Sequence, residues 1–162
     1  MANKAGLRKN SKYQDGRFMP INKNKYTGDI FDIIYRSSYE LKFFRELDRD
    51  EKVIRWISEP KDKQIKYYCS TKNKQRTYIP DVYCEKVING KLIKILIEIK
   101  PESKLVPPRK PKIQNAISMR KYGLRVQEYI NIQDKKKYAE MYCKLNGFVY
   151  LFITEKTINN LV

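Results

Sequence analysis

The stretch "LIKILIEIKPESK" (residues 92–104) decides how the chain is read. Ile93, Ile95, Ile97 and Ile99 alternate with Lys94, Leu96, Glu98 and Lys100, the two-residue period of a β-strand. Just before it, Asn89-Gly90 is a strong signal for a two-residue hairpin turn. The partner strand is then "TYIPDVYCEKVI" (77–88). With that turn, Ile88 lies opposite Lys91, and counting along the ladder puts Asp81 opposite Glu98. Side chains alternate across a strand, so Asp81, Glu98 and Lys100 share one face. The other face carries Val82, Cys84, Ile88, Ile93, Ile95, Ile97 and Ile99, a core face.

Two carboxylates directly opposite have Cβ atoms about 5 Å apart and repel. Solvent can screen such a pair, a cation can bridge it, or one acid can hold its proton. Solvation is the ordinary fate of charges on a strand, but the position argues against it. Pro80-Asp81 begins one strand where Glu98-Ile99-Lys100 ends the other, so the acids gather at one edge beside a lysine. Asp81 and Glu98, with the Ile99 carbonyl, make an oxygen-only site suited to Mg²⁺ or Mn²⁺. Such an ion polarises a phosphodiester and activates water. Lys100 is placed to orient that water or to stabilise the transition state. Acting as a base would require its pKa to fall well below the usual value.

The chain has 162 residues and a formal net charge of +17, from 35 Lys and Arg against 18 Asp and Glu. An excess this large implies a polyanionic partner, nucleic acid before an anionic membrane. No apolar run approaches the roughly 20 residues of a membrane span, and the basic start lacks the apolar stretch of a signal peptide. Three scattered cysteines without a C-x-x-C pair read as free thiols in a reducing compartment. There is no histidine, which excludes Ser-His-Asp and Cys-His catalysis and His-ligated zinc.

Residues 1–28 read as a basic N-terminal arm, with a single catalytic domain over 29–162. The first 26 residues carry seven Lys or Arg, Arg8 and Lys9 among them, against Asp15, and almost no apolar periodicity. "SSYELKFFRELDR" (37–49) reads as a helix. Ser37 and Glu40 are spaced as a capping box, and Glu40, Phe43, Phe44 and Leu47 share a face. Strands are expected at 52–58, 64–70, 77–88, 91–100 and 148–153. Four prolines make 101–112 irregular. A short helix is expected at 113–121 and a longer one within 127–145, stopped near Gly147. The class is α/β with a mixed central sheet. Trp56 reads as core rather than as a base-stacking platform. Residues 104–125 hold seven Lys or Arg and no acid, a composition fit to line a DNA groove.

The pattern "PD" (80–81) followed by "EIK" (98–100), with Glu40 on an upstream helix, resembles the PD-(D/E)xK nuclease superfamily and its restriction-endonuclease-like αβββαβ core. "AGLRKNSKYQDGRF" (5–18), "YRSSYELKFFRELD" (35–48), "VIRWISE" (53–59), "YIPDVY" (78–83), "LIEIKP" (96–101) and "YCKLNGFVYLFITE" (142–155) together resemble the head completion nuclease family of T-even-type phages. The central block is similar, more distantly, to the TnsA family, which cuts transposon ends. The resemblance implies catalytic residues Glu40, Asp81, Glu98 and Lys100, with a metal held by Asp81, Glu98, Glu40 and the Ile99 carbonyl. Arg36, Lys104, Arg109, Lys110, Lys112, Arg8 and Lys9 are the expected nucleic-acid contacts. It implies double-stranded DNA and phage portal or neck proteins as partners, no membrane, and a place in the virion or the host cytoplasm during assembly. Family members carry a lone lysine before an aromatic residue on the last helix. Here that region reads "DKKKYAE" (134–140), which leaves Lys135, Lys136 and Lys137 as alternatives. Two other readings are a TnsA-like transposon-end endonuclease and a non-catalytic DNA-binding protein of the head–tail junction.

Overall fold

The structure, a computed structural model, describes residues 15–158. A four-stranded mixed sheet forms its centre, in the order β3 (Val53–Ser58), β6 (Val82–Ile88), β7 (Lys91–Ile99), β8 (Val149–Ile153). β3–β6 and β6–β7 are antiparallel, and β7–β8 is parallel. A parallel neighbour needs a crossover connection. Here it is α2 (Ala116–Asn146). Before β3 come two short paired strands, β1 (Gly16–Arg17) and β2 (Ile34–Tyr35), and the helix α1 (Ser38–Arg49). A separate hairpin, β4 (Ile65–Cys69) with β5 (Lys74–Tyr78), is inserted between β3 and β6. This is an α/β fold with an αβββαβ core. Among the described residues, no helix is long and apolar enough to cross a membrane.

The β6–β7 turn forms as its sequence dictates. Asn89 and Gly90 both take positive φ, 50° and 75°, the requirement of a type I′ hairpin. Ile88 pairs with Lys91 and Val82 with Ile97, the expected register. Both faces of this hairpin are covered, however. On one side Phe43, Phe44 and Leu47 of α1 pack over Val82, Cys84, Ile95 and Ile97. On the other, Tyr83 and Leu96 lie under Ala139 and Cys143 of α2 and under Ile65, Tyr67 and Cys69 of the inserted hairpin. A strand buried on both faces reads as a continuous apolar run, and "ILIEI" (95–99) is buried throughout. Ile88, expected in the core, is exposed beside the hairpin tip, where no second layer reaches.

Two expected boundaries change. The strand foreseen over 77–88 is two strands. Pro80 lacks an N–H and cannot continue a ladder, so the chain leaves β5, turns at Ile79-Pro80-Asp81 and enters β6. The two helices foreseen after the prolines are one helix of 31 residues. Asn115 caps it, its side chain accepting from Ser118 N–H at 2.8 Å while Ser118 Oγ accepts from Asn115 N–H at 3.1 Å. It ends at Gly147, φ 68°, the left-handed C-cap conformation. Gly123 costs such a helix only about 1 kcal/mol and does not break it.

The segment foreseen as an arm over 1–28 is partly built into the core. Residues 1–14, with Arg8 and Lys9, lie outside the described residues. From Gly16 onward the chain is anchored. Phe18 is buried with its ring 5.9 Å from Phe44 and 6.0 Å from Trp56. Tyr26 packs edge-on against Trp56 at 4.7 Å. Thr27 N–H donates to the Trp56 carbonyl at 3.0 Å, so this segment covers the open edge of β3. Trp56 is fully buried, as its reading as core required. Asp48, buried on α1, accepts from the backbone N–H groups of Ile21 and Asn22 at 2.8 and 3.0 Å. The lysines of this stretch hid the few residues that pack.

Replacing Asp48 by alanine removes two part-buried hydrogen bonds to backbone donors, a loss of about 1–3 kcal/mol in all. Urea unfolding of Asp48→Ala should show that drop in midpoint. An unchanged midpoint would mean that the Asp48 hydrogen bonds add nothing to the hold on residues 21–22.

Candidate active site

The site sits where β6 begins and β7 ends. Asp81 is held by its own backbone, its carbonyl accepting from Glu59 N–H at 2.9 Å. Glu59 takes a positive φ of 47°, uncommon for a residue with a side chain. Asp81 Oδ2 accepts from the Ile99 N–H at 2.7 Å, which ties the start of β6 to the end of β7. Lys100 Nζ lies 3.4 Å from Asp81 Oδ2, 3.0 Å from Glu98 Oε1 and 3.2 Å from the Ile99 carbonyl. The ammonium thus touches the three groups that the sequence put forward as ligands of a cation.

Burial sets the electrostatics. Glu98 is only 4% exposed. Burial first, then repulsion from Asp81, push its carboxyl up to about 7, although Lys100 and Lys135 pull the other way. Its second oxygen, Oε2, is buried with no hydrogen-bond partner. Burial pulls the Lys100 ammonium down, but Asp81 and Glu98 outweigh it and hold the lysine above its ordinary value. In this arrangement Lys100 is a cationic donor to Asp81, Glu98 and the Ile99 carbonyl. Tyr78 and Tyr150, raised by burial and then by the Glu98 charge, stay neutral hydroxyls.

Glu40 stands apart on the first turn of α1. Ser37 Oγ caps that helix, accepting from Glu40 N–H at 3.1 Å. The Glu40 carboxylate accepts from Arg36 N–H at 2.9 Å and from Ser37 Oγ at 3.1 Å. It is thus a capping acid, yet close enough to feel Asp81. Burial raises its carboxyl, the Arg36 N–H lowers it, and the Asp81 charge raises it again. Among the described residues, no three carboxylates or thiols converge tightly enough to cage a metal by themselves. The donors that do converge are Asp81, Glu98 and the Ile99 carbonyl. Two hard oxygen side chains, one with an orphaned buried oxygen, fit a divalent cation.

The expected nucleic-acid contacts scatter. Arg36 pairs with Glu59 and is half exposed. Lys104 pairs with Glu128 of α2. Arg109 lines a cavity of about 410 Å³ together with Pro107, Pro108 and Arg125. Lys110 and Lys112 are exposed. The sequence left three lysines open on α2, and the fold separates them. Lys135 Nζ lies over the Tyr78 ring at 4.9 Å and acts on Glu98. Lys136 turns to Glu140 at 3.7 Å, and Lys137 is exposed. Lys135 falls on the stripe of Ile132, Ala139 and Cys143, the residues of α2 that packing buries.

A family model described as the N-terminal part of TnsA-like endonucleases matches residues 50–155. The head completion nuclease of Enterobacteria phage T4 is 32% identical to this chain over 140 residues, which span 86% of this chain and 90% of that one. The family match runs from β3 to β8 and takes in Asp81, Glu98, Lys100 and Lys135. On that match, over the strands that build the site, the chain belongs to the TnsA-like endonuclease family, whose fold is of the PD-(D/E)xK type.

Proposed function

We propose that this protein is a Mg²⁺- or Mn²⁺-dependent DNA nuclease that hydrolyses phosphodiester bonds during phage head completion. The observation that carries the reading is the cluster of half-buried Asp81 and Lys100 around buried Glu98, with Glu98 Oε2 left without a partner. Two converging carboxylates, one of them buried, with no histidine beside them suit a hard cation. The similarity to a phage head completion nuclease across most of both chains favours packaged DNA ends as the substrate over transposon ends. Portal or neck proteins are the partners this reading implies, in the virion or the host cytoplasm during assembly.

Asp81, Glu98 and the Ile99 carbonyl would hold the ion, which supplies Lewis acidity toward the phosphodiester and its attacking water. The rest is done by the chain. Lys100 would donate to a phosphate oxygen as negative charge builds there, or orient the attacking water. Its three present partners are the groups a metal would take, so with an ion held there Lys100 would be free to face the substrate. Lys135 adds a second positive charge on the α2 side. Glu40, already hydrogen-bonded by Arg36, is placed to orient water or an outer ligand rather than to complete an inner cage. The neutral hydroxyls of Tyr78 and Tyr150 keep the pocket from gaining further negative charge.

Cleavage of linear DNA should require Mg²⁺ or Mn²⁺, stop on chelation and be blocked by Ca²⁺, whose looser coordination misplaces water and phosphate. Gel assays with each ion check this, and full activity in excess EDTA would end the mechanism.

Asp81→Asn keeps an acceptor for the Ile99 N–H but loses the charge. It should fold normally, cut nothing, and lose the rise in melting temperature that Mg²⁺ gives the wild type, since only a folded state that binds the ion is stabilised by it. Asp81→Ala should also unfold more readily, by about 1–3 kcal/mol, because the Ile99 N–H is left unpaired. A wild type with neither cleavage nor a Mg²⁺ shift would favour a purely structural role.

A further inference from the structure

Beside the Asp81–Glu98–Lys100 cluster lies a cavity of about 450 Å³ between β5 and the middle of α2. Its β4–β5 wall is not part of the αβββαβ core. Three cations from three elements line the cavity: Arg76 of β5, Lys100 at the end of β7, and Lys135 of α2. Arg76 is exposed and has no carboxylate partner among the described residues. Lys135 has only the Tyr78 ring and the charge of Glu98. Gln127 and Asn131 present amides, and Leu124 and Ile132 present apolar surface. Leu124 is 58% exposed, a poor place for a leucine that meets nothing. The cavity's one carboxylate, Glu128, is already paired with Lys104. Cations for a phosphate, amides for a base edge and aliphatic side chains for a base face are the requirements of a nucleotide.

The walls also limit what enters. The hairpin is fastened to α2: Ser70 N–H and Oγ both donate to Asp134 Oδ2, at 2.8 and 2.7 Å, and Tyr78 Oη donates to the Lys135 carbonyl at 3.3 Å. Cys69 Sγ lies 2.9 Å from Asn131 Oδ1. These bonds fix the gap between β5 and α2. A space at the lower end of the roughly 300–1,000 Å³ range of ligand pockets takes about one nucleotide, not a base pair with both backbones.

We propose that this cavity binds one unpaired nucleotide of the strand being cut, next to the scissile phosphate, so that the substrate carries an unpaired strand end. This deepens the nuclease reading and rests on it for the word "cut". The nucleotide's phosphate lies between Arg76 and Lys135, and its base lies against Leu124 and Ile132 within reach of Gln127. The inserted hairpin thereby selects frayed or tailed DNA over continuous duplex.

Binding is read by fluorescence anisotropy with the Asp81→Asn protein in metal-free buffer. The probes are a labelled blunt duplex and the same duplex with a short single-stranded tail. The tailed duplex should bind about tenfold tighter, the scale of one base held on protein side chains. Arg76→Gln, and separately the uncharged Leu124→Ala, placed in the Asp81→Asn protein, should erase most of that advantage and leave melting temperature unchanged, with any loss on the blunt duplex smaller than on the tailed one. Equal affinity for the two probes overturns the proposal, as does a loss in Arg76→Gln that is the same for both. Cleavage by the wild type with Mg²⁺ separates the two readings. Equal cutting of blunt and tailed DNA sinks the pocket and leaves the nuclease. A tail preference in binding, with no cleavage of either DNA, sinks the nuclease and leaves the pocket.

Discussion

The two-residue turn at Asn89-Gly90 is the constraint on which the site depends. Both residues must hold positive φ, and both do. That geometry fixes the register from Ile88–Lys91 to Val82–Ile97. A slip of one residue would send every side chain of one strand to the opposite face. Asp81 would then point away from Glu98 and Lys100. The register is defended along its length by side chains packed on both faces, Ile95 and Ile97 toward α1 and Leu96 toward α2. The chemistry at one end of the hairpin is thus aligned by the turn at the other.

What the hairpin aligns is electrostatically costly. Two carboxylates and one ammonium are drawn together with Glu98 nearly out of water, and burying charge costs more than pairing commonly returns. The cost shows as a Glu98 carboxyl pushed up to about 7 and an oxygen without a partner. Lys100 is the internal compensation, a cation touching each ligand oxygen in turn. The cluster gathers acids inside a chain of formal charge +17. A divalent ion is attracted locally, while the surrounding field favours a polyanion. The proposed attractions for an ion and for a polyanion are separated in space.

The parts around the core divide the remaining work. The segment from Gly16 to Thr27 covers the open edge of β3 and pins itself to α1 through Asp48. The first half of α2 buries no side chain, while Ile132, Ala139 and Cys143 in its second half do. Its basic N-terminal turns are therefore free to meet a ligand, and the buried half carries Lys135 to the site. Glu59 links the cap of α1 to the start of β6, its N–H on the Asp81 carbonyl and its carboxylate on Arg36. Glu40 and Asp81, far apart in the chain, are held near one another by that bridge.

Much of the hairpin and its acids was legible in the sequence, because turn chemistry and a period of two are local properties. Asn-Gly, the alternating isoleucines and the spacing of Asp81 from Glu98 specify the register without reference to the rest of the chain. The α1 cap was legible for the same reason. What depended on distant packing was not. That both faces of β7 are covered, that Phe18 and Tyr26 enter the core from a lysine-rich segment, and that one helix runs through Gly123 are all settled by contacts between remote residues. The same holds for the choice of Lys135 among three consecutive lysines. Sequence places all three on one helix, and only the stripe that packs against the inserted hairpin and Leu96 decides which one reaches Glu98. Local backbone preference fixed which side chains could share a face, and burial of apolar surface between distant segments decided which face became a site.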